Sequence, residues 1–341
     1  MMRSTTLASR PGRAGAPCPR PGPARPARAT PHSVRAAAAP ASTSSPANRL
    51  ALITGANTGI GLETAKALAA QGYDVTLACR DPTKAAAALD AVRAVAAAGS
   101  TVASLPLDLA SLASVRDAAA RALDAGRPLD VLVNNAGIMA LPSRETTADG
   151  FERQFGVNHL GPFLLTASLL PLLADPAVPS RIVNLASSAH QFARGGLDFD
   201  DLQASKGRYS AWGAYGASKL ANILHVTHLA SITPPAARLT ATACHPGVVR
   251  TELARHLVDP ASAGFLQRVA LALTAPFLKT PAQGAATSIY LATSPDVAGV
   301  SGRYFADCAP KEASAPAYDA NAARRLWEVS AELTRAPAVP W

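Results

Sequence analysis

LALITGANTGIGLETAKALAAQG, residues 50–72, is the stretch that decides the fold. Leu50 to Thr54 is an apolar run of strand length that stops at a glycine. Ile60 to Gln71 reads as a helix closed by Gly72. Between them lies TGANTGIG, with Gly55, Gly59 and Gly61 at the joint. Glycine permits positive φ and close backbone approach, and the free amides that open a helix attract a pyrophosphate. Strand, glycine turn and helix in this order predict a dinucleotide-binding βα unit, with Gly55, Asn57, Thr58, Gly59, Ile60 and Gly61 as its cradle.

Working outward, the same alternation continues. YDVTLACR (73–80) predicts a second strand and Thr83 to Ala98 an alanine-rich helix ended by Gly99. VASLPLDL (102–109), LDVLVNNAG (129–137), RIVNLASS (181–188) and LTATACHPG (239–247) predict further strands. Helices are expected at Leu112 to Leu123, near 151–173 and near 212–231. Strands that alternate with helices in this way form a parallel sheet covered on both faces. The fold class is therefore α/β: one doubly wound, Rossmann-type domain from residue 49 to about 335, with a short tail at 336–341. No internal repeat of solenoid period interrupts it.

Most of the net charge of +9 lies in the leader. Residues 1–48 contain seven arginines and no Asp or Glu, which leaves 25 basic against 23 acidic residues elsewhere. A nucleic-acid-binding surface is not indicated. The leader is rich in Arg, Ala, Ser and Pro and has no apolar h-region, which suits an organellar transit peptide rather than a secretory signal. Its nine prolines oppose the amphipathic helix of a mitochondrial presequence, so chloroplast is the expected destination and mitochondrion the alternative. Ser33-Val34-Arg35-Ala36-Ala37 resembles plastid processing sites. Cys79, Cys244 and Cys308 are far apart, and no CxxC pair suggests zinc or a redox motif. The histidines have no metal spacing, so no metal is expected. No apolar run reaches the ~18 residues that would span a bilayer. Phe163 to Leu173, interrupted by Pro171, reads as a core helix.

Several strand ends carry polar residues suited to a cofactor. Arg80 stands where an NAD-binding protein places an acid for the ribose 2′-hydroxyl, and its guanidinium matches a 2′-phosphate. NADP(H) is therefore expected, with Asp81 assigned to opening the next helix ahead of Pro82. Asp108, followed by Leu109, can accept from an adenine amine or cap a turn. Asn135, Ala136 and Gly137 end the fourth strand with small residues that admit a ribose. Farther on, AYGASKLANILH places Tyr215 and Lys219 one helical turn apart on one face. An ammonium beside a phenol favours the phenolate, so Lys219 is expected to lower the Tyr215 pKa and to couple proton transfer to hydride transfer.

The ordered set TGxxxGIG, NNAG, VNHLGPFLLT, SS after a strand, YxxxK and HPG resembles the short-chain dehydrogenase/reductase family over essentially the whole chain after the leader. ACRD, RIVNLASSAH, YGASKLAN and HPGVVRTEL bring it nearest the retinol dehydrogenase branch. The resemblance implies Tyr215 as general acid, Lys219 as its partner on the nicotinamide ribose, and Ser188 as donor to the substrate oxygen, with Ser187 the alternative. It also implies Asn158 as holder of a relay water, and Pro246, Gly247, Val248 and Thr251 around the nicotinamide or a phosphate.

The implied activity is carbonyl–alcohol interconversion on a lipophilic small molecule, either a retinoid or another isoprenoid or lipid aldehyde. A redox-sensing component of plastid protein import and protochlorophyllide reductase are the alternatives. Against the latter, Ala217 stands before Ser-Lys where that enzyme has Asp. Phe265, Leu266, Val269, Leu273 and Phe277 form an apolar stripe within a segment of about 252–280, read as either substrate mouth or ordinary packing. As a mouth it would be compatible with peripheral membrane contact; a homodimer is compatible with the sequence.

Overall fold

The strand, turn and helix of residues 50–70 are realised as β1 (Leu50–Thr54) and α1 (Gly59–Ala70). The structure, a computed structural model, describes residues 48–175, 177–249 and 278–341. The leader up to residue 47, Thr251 and the apolar stripe from Phe265 to Phe277 lie outside the described residues.

After α1 come β2 (Asp74–Cys79), α2 (Pro82–Arg93), β3 (Val102–Pro106), α3 (Leu112–Asp124) and β4 (Val131–Asn134). The long helix α4 (Arg153–Leu173) passes through a π turn at Gly156–Leu160. Then follow β5 (Ser180–Leu185), α5 (Ala211–Ile232), β6 (Leu239–His245), α6 (Pro281–Thr293), β7 (Arg303–Ala306), β8 (Ala309–Pro310) and α7 (Ala320–Thr334). The strands lie in the order β3-β2-β1-β4-β5-β6-β7-β8, parallel throughout except for the β7–β8 pair. The chain runs outward from β1 to β3, then returns to β4 on the other side of β1. That reversal opens a crevice at the carboxyl ends of β1 and β4, where doubly wound sheets bind their ligands.

Alternate residues of the central strands feed two cores. Leu52, Leu132 and Ile182 face α3, α4, α5 and α7, whereas Ile53, Val133 and Val183 face α1, α2 and α6. Both faces are covered, so the strands read as nearly continuous apolar runs. Helix α4 is long and apolar enough to cross a membrane by length and composition, but it is mostly buried against the sheet. It is a core helix, as its sequence predicts. Cys79 and Cys244 are buried free thiols.

Two boundaries differ from expectation. The helix predicted to reach Ala98 ends at Arg93, because the chain turns away and Ala97 N–H bonds the carbonyl of Ala69 at the end of α1, 2.9 Å away. The β7–β8 hairpin, α6 and α7 extend the domain beyond the predicted elements. Thr280 opens α6 with a reciprocal capping box, accepting from Gln283 N (3.2 Å) while Gln283 Oε1 accepts from Thr280 N (2.8 Å).

Under the core face of α5, His159 and His225 pack among Phe155, Phe163 and Trp327. Asn184 Nδ2 approaches His225 Nδ1 at 3.3 Å, and among the described residues His225 Nε2 has no partner. Burial drives the His225 pKa from 6.5 to about 3, with His228 adding repulsion. The folded state therefore keeps this ring neutral at pH values where the unfolded chain protonates it. Its stabilisation is full above pH 6.5 and declines as pH falls toward 3, at about 1.4 kcal/mol per pH unit. Urea midpoints measured between pH 7.5 and 5 should fall accordingly, and His225→Gln should flatten that slope. An unaltered slope would show that other groups carry the acid sensitivity.

Candidate active site

The glycine turn is shaped for close approach. Gly55 and Gly59 have φ of +63° and +57°, in the left-handed region that favours glycine. A Cβ on Gly61 would lie 2.5 Å from the Gly55 carbonyl oxygen and would also meet the Asn135 amide, so no other residue fits there. Thr58, the residue before α1, supplies no side-chain acceptor to the helix, leaving its first amides facing the crevice. Asn57 is half-buried in the turn, and Ile60 packs against Gly284 of α6.

One hydroxyl joins the two strand ends. Thr54 Oγ1 accepts from the backbone N–H of both Asn135 and Ala136, each at 3.0 Å. In return, Asn135 Nδ2 donates to the Thr54 carbonyl at 2.8 Å and to Gly55 O at 3.3 Å. The predicted strand-end residues Asn135, Ala136 and Gly137 thus sit against the turn.

At the end of β2, Asp81 caps α2, accepting from Thr83 N (2.9 Å) and Lys84 N (3.1 Å). Its carboxylate is committed to the helix, as expected. Arg80 is exposed and makes no ion pair among the described residues. Asp108 spends one oxygen on Ala110 N at 2.9 Å, so its turn-capping role is realised. Leu109 is buried, and its carbonyl presses on Gly161. Beyond β6, Gly247 has φ +89°, Val248 is exposed and Pro246 precedes them at the strand's carboxyl end.

Helix α5 carries the reactive pair. Ser210 caps it through Gly213 N at 3.1 Å. Lys219 Nζ donates to the carbonyl of Leu185, the last residue of β5, at 2.9 Å and lies 5.7 Å from the centre of the Tyr215 ring. Burial lowers the lysine pKa to about 8, against a smaller opposing contribution from Cys244. Burial raises Tyr215 to about 12, and a hydrogen bond from Ser187 acts in the opposite sense. The expected lowering of the phenol by Lys219 is therefore not realised in this arrangement. Desolvation of the phenol dominates, and the ammonium is directed at a carbonyl.

The two serines after β5 are placed differently. Ser187 is the hydroxyl that meets Tyr215, whereas Ser188 is exposed and donates its backbone N–H to His245 Nδ1 at 3.3 Å. Ser187 caps the turn after β5, accepting from Ala189 N at 3.1 Å, and is half-buried.

Asn158 is held at the crevice by the π turn. Its Oδ1 accepts from Ile138 N (2.8 Å), and its Nδ2 donates to Ile138 O (2.9 Å) and Ser218 Oγ (2.9 Å). The side chain ties the loop after β4 to α5 and is fully engaged. A Cβ on Gly137 would lie 3.1 Å from Asn158 Oδ1 and 3.4 Å from Lys219 Nζ, so the predicted Asn158, Gly137 and Lys219 converge. Ser218, which passes a hydrogen bond on to the Tyr215 carbonyl at 2.7 Å, is absent from the sequence-based set; its place inside YxxSK is the signal that points to it. Among the described residues no cluster of His, Cys, Asp or Glu is arranged for a metal.

A family model described as short chain dehydrogenase matches residues 49–198. Retinol dehydrogenase 12 of Mus musculus is 45% identical over 285 residues, covering 84% of this chain and 86% of that protein. Among solved structures, an uncharacterized protein from Mycobacterium Paratuberculosis superposes with a TM-score of 0.66 at 35% identity, covering 86% of this chain and 96% of that one. The Pseudomonas aeruginosa RhlG/NADP active-site complex gives a TM-score of 0.59 at 29% identity, over 76% and 94% of the two chains. Fold and site together define an oxidoreductase of alcohol and carbonyl groups that works with a nicotinamide cofactor. The chain belongs to the short-chain dehydrogenase/reductase family, in its retinol dehydrogenase branch.

Thr54→Val keeps the shape of the side chain and removes the acceptor shared by two amides. A loss of about 2 kcal/mol in chemical denaturation is expected, together with weaker nicotinamide-dinucleotide binding. Wild-type values for both would show that the hydroxyl does not hold the crevice.

Proposed function

We propose that this protein is an NADP(H)-dependent oxidoreductase interconverting a carbonyl and an alcohol on a lipophilic, retinoid-like substrate. The observation that carries this reading is the buried Tyr215 phenol, with Ser187 beside it and Lys219 one turn away. A phenol raised to about 12 is fully protonated near neutral pH, as a general acid must be before it acts.

The residues that would hold the cofactor fit it. The glycine turn leaves room and free amides for the pyrophosphate, and Gly137 leaves space beside Lys219. When bound, the nicotinamide supplies or accepts the hydride. In the reducing direction Tyr215 gives its proton to the carbonyl oxygen and becomes phenolate. Ser187 donates a hydrogen bond to the same oxygen, stabilising the charge that develops on it. Lys219, positive over most of the neutral range, donates to the Leu185 carbonyl before the reaction and stands one helical turn away, near enough to turn toward the phenolate once it forms. In the oxidising direction the same groups take the proton back.

Arg80 supports NADP(H) over NAD(H), because it is exposed at the end of β2 while Asp81 is occupied by α2. The structurally similar RhlG active-site complex is one with NADP, which agrees with this choice. Support for a lipophilic substrate comes from the likeness to retinol dehydrogenases and from two exposed aromatics beside the phenol. Trp212 stands 6.0 Å from the Tyr215 ring, and Phe192 stands 5.7 Å from Trp212.

Purified protein assayed with NADPH and retinal or long-chain aldehydes should turn over, and Tyr215→Phe should lower kcat at least about a hundredfold. NADPH affinity should hardly move in that variant, and a large affinity loss would contradict the division of roles. Arg80→Leu should weaken NADPH far more than NADH. Equal losses for both cofactors would remove the 2′-phosphate assignment.

A further inference from the structure

His190 lies three residues past Ser187, in the short 3₁₀ turn Ser188–Phe192, and is 1% exposed. Its Nδ1 is 2.6 Å from the Ser187 carbonyl oxygen, which can only accept. Its Nε2 is 3.0 Å from the backbone nitrogen of Ser314, whose N–H can only donate. These partners dictate one tautomer, with the proton on Nδ1 and a lone pair on Nε2. Turning the ring over would present carbons to both partners and lose both bonds. The ring is also fixed from the side, edge-on to Tyr304 of β7 with centroids 5.2 Å apart. Burial lowers its pKa, helped by Lys311, so the neutral form that the geometry requires is the stable one near neutral pH.

Ser314 belongs to the segment after β8, which is itself tied down: Lys311 N bonds Tyr304 O (2.9 Å), and Ala313 N bonds the Tyr318 hydroxyl (2.9 Å). His190 therefore anchors the main chain of Ser187 to a fixed part of the sheet edge, although Ser314 is 124 residues beyond the histidine in sequence. The Ser187 hydroxyl also accepts from Ala189 N, one residue before His190, through one of its two lone pairs, which leaves its proton free to donate.

We infer that His190 is a positioning residue for the reaction: it fixes the direction of the Ser187 hydroxyl by clamping that residue's carbonyl to the backbone of Ser314. The inference rests on the reading of Ser187 as donor to the substrate oxygen. A clamp of this kind acts on the aim of one donor, and small errors of aim are expensive in rate while leaving binding nearly intact. It should therefore appear in kcat and depend on Ser187.

The test uses the full-length enzyme with NADPH and retinal. His190→Phe keeps an aromatic ring against Tyr304 but removes both hydrogen bonds. It should lower kcat on the order of tenfold, with KM and NADPH affinity changed less than about twofold. His190→Asn, which can still donate to Ser187 O, should recover part of that loss. Added to Ser187→Ala, His190→Phe should cause no further fall in kcat, whereas a merely structural role would make the two losses multiply. Ser314→Pro gives an independent reading: the φ of −63° already suits proline, and the change deletes the donating N–H without touching the histidine. It should reproduce a smaller kcat loss with unchanged KM, even if His190→Phe fails to fold. Multiplying losses, or a full kcat in Ser314→Pro, would overturn the inference. If Ser187→Ala keeps full activity, the donor role of Ser187 falls and the inference falls with it. If Ser187→Ala is impaired while His190→Phe and Ser314→Pro are both fully active, only the clamp is wrong.

Discussion

The Thr54 hydroxyl is the point on which the rest of the site depends. It ends β1, accepts from two amides just past β4, and is fully buried. Parallel strands have no hairpin to set the spacing of their carboxyl ends, so side chains must do it. Here a threonine and an asparagine bond reciprocally across the reversal of strand order. The glycine turn, the Gly137 gap and the loop carrying Ile138 all take their positions from that junction. Asn158 then carries the geometry to α5 through Ser218, and with it to the backbone of Tyr215.

Burial governs the chemistry more than any single charge does. Tyr215 and Lys219 are both pushed toward their neutral forms, the phenol upward and the ammonium downward, because water is excluded from both. A pair whose acid and base shift in opposite directions leaves the phenol protonated and brings the lysine close to its titration midpoint at about pH 8. Cys244, also buried and electrostatically coupled to Lys219, is raised to about 11 and stays a thiol. Near neutral pH the phenol and the thiol are thus neutral and the Lys219 ammonium is the charge among these three groups.

Much of this architecture is legible in the sequence, and the reason differs by element. The βα unit at 50–72 is local, encoded by a glycine turn flanked by strand and helix, so its form follows from chain order alone. The Asp81 cap is equally local: its partners lie two and three residues away. Tyr215 and Lys219 need only helical spacing. The choice between Ser187 and Ser188 depends on which way a turn rotates after β5, and that rotation is set by Ala189 N and by a histidine tied to residue 314. The phenol's pKa departs from expectation for a related reason. Sequence spacing reports that a lysine is near, but not that its proton is turned toward the Leu185 carbonyl. Helix α6 carries a readable signature in Thr280-Pro281 and Gln283, whereas the two-residue β8 is held mainly by its pairing with β7.

The π turn at Gly156–Leu160 has a consequence for how this chain can change length. Each residue of an α-helix adds about 100° of rotation, and a π turn spreads its residues over a wider loop than an α turn does. Asn158 sits within that turn, aimed at the crevice, while Leu164, Leu165 and Leu169 beyond it point into the core under the sheet. Five residues in a π turn therefore cover about the rotation of four in an α turn, and the extra residue is absorbed without changing which way the flanking helix faces. The leucines keep their aim into the core whether or not the turn is widened. What the widened turn adds is local: it sets Asn158 in a loop of its own, bonded to Ile138 and Ser218 and not only to the helix.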